Sequence, residues 1–171
     1  MPRDATSERA ADASFTLEID IAAPPERVFA ALTTPANLAA WMWAGIGRDG
    51  SARVELRVDG SYEVSTCVDQ RDGSEAPAVW AMRGCYLEIE PNRRLAFTLH
   101  WAAPVGYNAA GPTPDEHIQI ALGPIASGTH VTYVHSRIPA ADAVHGHRDG
   151  TRKALQMLKA RVEARDANPT E

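Results

Sequence analysis

Seven stretches of this 171-residue chain alternate apolar and polar residues with a period of two, and a single long stretch, the last, carries a helical period. The first alternation sets Phe15, Leu17, Ile19 and Ile21 on one face and Thr16, Glu18 and Asp20 on the other. Later ones place Val54, Leu56 and Val58 together, then Tyr62, Val64, Thr66 and Val68, then a longer run from Val79 to Glu90. Leu95, Phe97, Leu99 and Trp101 follow, then Ile118, Ile120 and Leu122, and finally Val131, Tyr133 and His135. Asp59-Gly60, Asp72-Gly73 and Pro91-Asn92 punctuate these runs as turns. Between the first two runs, Pro24-Pro25 and Thr34-Pro35 open two short helices, carrying Val28, Phe29 and Leu32 and then Leu38, Trp41 and Met42. The long helix is expected from about Ala141 to Arg165, with Thr151, Leu155, Leu158 and Val162 on one stripe. Seven strands with one apolar face need a cover, and this helix is the one long amphipathic segment available. The expected fold is therefore α+β, a curved seven-stranded antiparallel sheet around a long C-terminal helix, with two short helices after the first strand. One helix cannot fill such a curl, so a cavity is expected between them.

Composition narrows the function classes. Seventeen Lys and Arg against 22 Asp and Glu give a formal charge of −5, the wrong sign for a nucleic-acid binder or a protein of anionic membranes. No apolar run approaches the roughly 20 residues of a spanning helix, and Met1 to Ala13 lacks a signal-peptide core. Cys67 and Cys85 are too few for a disulfide framework. A cytoplasmic, bacterial-type protein is expected, with residues 1–13 a disordered tail, 14–165 one domain and 166–171 a short C-terminal tail.

Few residues offer chemistry. His135 shares the inward face of its strand, where a buried imidazole needs a partner or a ligand; a satisfied core histidine is the simpler reading. His147 lies one turn before Thr151 on the apolar stripe and is suited to orient a ligand carbonyl or to act as an acid or base. Its simpler reading is a helix-start histidine bonded to backbone. Glu116 points inward with Ile118 but is read first as a solvated strand end. Asp142, His145, His147 and Asp149 do not share one helix face at metal-ligand spacing, so no metal site is expected. Lys153 and Lys159 lie off the apolar stripe, Cys67 faces outward, and Cys85, grouped with Leu87 and Ile89, reads as a small buried hydrophobe. No glycine pattern for a nucleotide is present, and no cofactor is expected. The aromatic set is more informative: Tyr62, Trp80, Trp101, Tyr107 and Tyr133 suit an apolar or flat ligand, whereas Trp41 reads as core. The Pro- and Gly-rich loop 102–113, flanked by Trp101 and Tyr107, reads as a gate.

Four segments carry a family resemblance. Ile21–Met42 (IAAPPERVFAALTTPANLAAWM) resembles the opening of the START/Bet v 1-like (SRPBCC) superfamily, and within it the branch named for activator of heat-shock-protein-90 ATPase homologues. Gly84–Trp101 (GCYLEIEPNRRLAFTLHW) is similar to that branch's middle signature, and Gly128–Pro139 (GTHVTYVHSRIP) to its penultimate strand. Of the closing motif, His147, Gly150, Leu155 and Leu158 match, while Thr151 stands where tryptophan is usual. The resemblance implies the helix-grip fold and a cavity protein that binds a small, largely apolar or aromatic molecule. It equally admits an enzyme of the polyketide cyclase or dehydratase type, with His135 and His147 as acid/base, or a chaperone-interacting module. Expected partners are the small ligand and at most a second copy in a homodimer, with neither nucleic acid nor membrane. The expected ligand-binding residues are Tyr62, Trp80, Trp101, Tyr107, Tyr133, His135, His147, Thr151 and Leu155. Thr151 in place of an indole implies a larger and more polar pocket entrance.

Overall fold

The computed structural model describes residues 13–43, 46–69, 77–102, 115–138 and 143–164. Strand β1 (Ala13–Ile21) is followed by helices α1 (Pro25–Thr33) and α2 (Pro35–Trp41). Six strands follow: β2 (Arg48–Val54), β3 (Ser61–Val68), β4 (Ala78–Glu90), β5 (Arg94–Ala102), β6 (Glu116–Ile125) and β7 (Gly128–Ile138). Helix α3 (Ala143–Ala164) closes the order. The strands form one antiparallel sheet in the order β1-β7-β6-β5-β4-β3-β2, so β1 and β2 are its edges. This is the α+β helix-grip architecture, with the curved sheet wrapped around the last helix.

Local chemistry explains the joints. Pro25 begins α1 and Pro35 begins α2, each at a helix start where a missing N–H costs nothing. Thr34 joins the two, extended at φ −86°. Trp41 is buried and its Nε1 donates to the Ala31 carbonyl at 2.8 Å, locking α2 onto α1. Asn92 takes a positive φ of 64° in the β4–β5 turn, a conformation asparagine tolerates. Gly128, at φ 141°, lets the β6–β7 turn press on the end of β1, where a Cβ would lie 2.1 Å from the Ile21 carbonyl oxygen.

Two strands depart from the expected facing. The alternation at Val54 does not continue: β2 ends there, and Leu56 and Val58 stand exposed in the connection to β3. The reason is backbone geometry, because Asp59 adopts a positive φ of 61° and its N–H is committed to the Tyr86 carbonyl. In β4, Cys85 is exposed rather than buried, and so is Leu87. Met82 and Tyr86 point inward instead. The pairing with β5 slips by one residue between Tyr86 and Glu88, so Leu87 is an inserted bulge residue and Ile89 returns to the core side. A bulge reverses facing midway through a strand, which simple alternation cannot follow.

Candidate functional site

Between the inner face of the sheet and α3 lies a cavity of about 790 Å³, within the range of small-molecule sites. Its walls come from α1, α2, β3 to β7 and α3. Most of the lining is apolar or aromatic. Trp43 meets Trp80 and Trp101 edge-to-face, with ring centroids 6.3 and 6.1 Å apart. Tyr62, Tyr86 and Phe97 form a second ring cluster, in which the Tyr62 hydroxyl donates to the Thr98 carbonyl at 2.8 Å. Burial pushes the Tyr62 hydroxyl well above its ordinary value and the Tyr86 hydroxyl up to about 12, so both stay neutral.

One end is different. Glu116, at the start of β6, is buried, and its carboxylate is held from two sides. His135 of β7 donates from Nε2 to Oε2, and His147 of α3 sets its Nε2 3.3 Å from Oε1. The second nitrogen of His147 donates to the Ala143 carbonyl at 2.8 Å. Both nitrogens of that ring thus face acceptors, an arrangement only the imidazolium satisfies fully. Burial alone would raise the Glu116 carboxyl; the hydrogen bonds from His135 and His147 and the attraction of the two rings overcome it and hold the group at about 2. The hydrogen bond to Glu116 in turn raises His147 against the opposing effect of burial, with help from the Ala143 carbonyl. The two imidazoles stand 5.5 Å apart by centroid, and Trp101 lies 6.3 Å from His147. Beside them Tyr133 is hydrogen bonded to Thr151, and burial raises its hydroxyl despite that bond.

Of the residues expected to bind ligand, Tyr62, Trp80, Trp101, Tyr133, His135, His147, Thr151 and Leu155 all line this cavity. Tyr107 and nearly all of loop 102–113 lie outside the described residues. Glu116 is the correction: a buried carboxylate behind the cavity wall, not a solvated strand end. Its inward facing was readable, but its burial depended on two histidines arriving from β7 and α3. His147 shows the backbone bond of its simpler reading, and its other nitrogen goes to Glu116, a partner not expected from the sequence. Among the described residues no group of three or more His, Cys, Asp or Glu is disposed to hold a metal ion. His145 pairs with Asp149 at 3.2 Å on the exposed side of α3.

Comparison with known proteins places this architecture. The family model described as "Activator of Hsp90 ATPase homolog 1-like protein" matches residues 22–163. No curated protein matches the chain. Among solved structures, protein CV1439 of Chromobacterium violaceum is 27% identical with a TM-score of 0.66, over 88% of this chain and 97% of that one. Protein Mll3558 of Rhizobium loti is 25% identical with a TM-score of 0.66, over 88% and 96%. A Staphylococcus aureus protein described as of unknown function, SA2116, reaches a TM-score of 0.70 at 14% identity, over 92% and 97%, a likeness of fold alone. No helix among the described residues is long and apolar enough to cross a membrane.

Proposed function

The chain belongs to the family of activator of Hsp90 ATPase homolog 1-like proteins, and from that premise we propose that it binds a small, largely apolar molecule between the curved sheet and α3. The observation that carries this reading is the cavity of about 790 Å³, walled by aromatic and aliphatic side chains. Interiors are close-packed, so a void of that size is a loss of packing unless something occupies it. Tyr62, Trp80, Trp101 and Leu155 supply the apolar wall in this reading, and Tyr133, His135, His147 and Thr151 the polar end. Native mass spectrometry of protein purified from its own host tests it. A retained small molecule is the expected result, and Thr151→Trp, which fills the polar end, should abolish retention while the fold survives. Retention unchanged in that variant would move the ligand elsewhere and overturn the choice of His147 with it.

A second reading is favoured by one observation. The His147–Glu116–His135 chain brings charge into an apolar chamber, where a hydrophobic replacement of equal volume would cost the fold less. Perturbed titratable groups such as Glu116 and His147 gather where protons are moved. In that reading the protein is an acid/base catalyst, with His147 and His135 as the exchanging groups and Glu116 positioning both. Saturable turnover that disappears in His135→Ala or His147→Ala would select catalysis over simple binding.

A further inference from the structure

Along the first three turns of α3, His147 and Thr151 are the only side chains larger than a methyl group that line the cavity. Ala143, Gly146, Gly150 and Ala154 succeed one another at intervals of three and four residues, which places them on one stripe, and all four border the cavity. A Cβ built on Gly146 or Gly150 would meet nothing within 4 Å. Glycine is a poor residue for a helix interior, and no neighbour packs closely enough here to require it. The stripe leaves a strip of helix bare of side chains bordering the cavity, where Gly146 and Gly150 are exposed.

The polar end is an independent observation. Trp43 and His135 are 7% and 1% exposed and border the same cavity. Each keeps a buried ring nitrogen, Nε1 and Nδ1 respectively, with no partner among the described residues. Next to His135, whose ring lies 6.3 Å from that of Tyr133, the bonded hydroxyls of Tyr133 and Thr151 line the cavity. Two hydroxyls joined by one hydrogen bond retain further donor and acceptor capacity. The charge there is already balanced, because Glu116 is matched by His147, and no lysine or arginine lines the described wall. A ligand anion would find no free cation.

Resting on the reading of the cavity as a binding site, we propose that its ligand class is a flat, uncharged ring system carrying a single hydroxyl or carbonyl oxygen. The ring face lies along Ala143, Gly146, Gly150 and Ala154, and the oxygen meets the hydroxyls of Tyr133 and Thr151. A bulky or branched chain would waste the flat strip, and a carboxylate would find no unpaired lysine or arginine among the described lining residues.

Isothermal titration calorimetry of the full chain with 2-naphthol, naphthalene and 2-naphthoate tests this. The expected order is 2-naphthol about tenfold tighter than naphthalene, as one good hydrogen bond implies, with 2-naphthoate weakest. Tyr133→Phe should bring 2-naphthol close to naphthalene. Gly150→Leu should weaken 2-naphthol by more than about tenfold at an equal or higher melting midpoint, because the added side chain enters open space and leucine is the better helix former. Gly146→Leu and the milder Gly150→Ala should act in the same direction. Tightest binding of 2-naphthoate overturns the uncharged head group, and unchanged affinity in the glycine variants overturns the stripe. Failure of all three probes overturns the ring class. If a flexible aliphatic molecule is nonetheless retained by protein from the host, the binding function stands and the ligand class alone falls.

Discussion

Helix α3 is held in two different ways along its length. In its C-terminal half Leu155, Leu158 and Val162 are buried, and Lys159 donates to the Asp20 carbonyl at 2.5 Å. Glu163 accepts from the Ala22 amide at 2.8 Å, tying the same half to the end of β1. The N-terminal half buries no apolar side chain and bridges the cavity. Its attachments to the sheet are polar, from His147 to Glu116 and from Thr151 to Tyr133. Apolar burial is non-directional and insensitive to pH, so the C-terminal half is a stability element. Hydrogen bonds over a void are directional and titratable, and they leave the N-terminal half free to be specified by a ligand.

The contrast is sharpest in Leu158→Ala, which truncates a fully buried side chain in the packed half. It should cost about 2–5 kcal/mol in denaturant melts. A loss under about 1 kcal/mol would erase the distinction between the halves. Glu116→Gln should cost less, about 1–3 kcal/mol near pH 6, because it leaves buried imidazoles poorly matched. Its pH profile is the more telling readout. The folded Glu116 carboxyl lies at about 2 against an ordinary 4.5, so its contribution is complete above 4.5 and is lost as pH falls toward 2. His147 is raised above its ordinary 6.5, so its contribution is complete below 6.5 and is lost as pH climbs through the raised folded value. Stability from this pair should peak between 4.5 and 6.5, and Glu116→Gln should flatten the alkaline limb. A variant profile parallel to that of the parent would mean His147 draws its charge from elsewhere. The smallest effect is expected in Gly150→Ala, which should raise stability by up to about 1 kcal/mol through helix propensity alone. A loss instead would show that the bridging half is packed after all.

The fold was largely legible because period-two alternation and one amphipathic helix are direct images of which faces are buried. Six strands and all three helices stand close to their expected places, whereas β2 runs Arg48–Val54 and ends where the alternation through Leu56 and Val58 was expected. Legibility failed where backbone geometry intervened, at the positive φ of Asp59 and at the Leu87 bulge, since neither leaves a mark in apolar spacing. The apolar wall of the cavity was equally readable. Glu116 was not: a carboxylate at a strand start is ordinarily solvated, and its burial rests on His135 and His147, 19 and 31 residues further along the chain. Pairings of that kind are set by topology, and residue spacing does not display them.

The aromatic lining has an optical consequence. Trp41, Trp43, Trp80 and Trp101 are the chain's four tryptophans, and every one of them borders the cavity. Practically all of the protein's near-ultraviolet emission therefore originates at the cavity wall, with the indoles of Trp43, Trp80 and Trp101 close enough to exchange excitation. His147 stands against Trp101, where an imidazolium can quench it. The protein carries its own dye, and whatever enters or leaves the chamber, including a proton, is written in its emission spectrum.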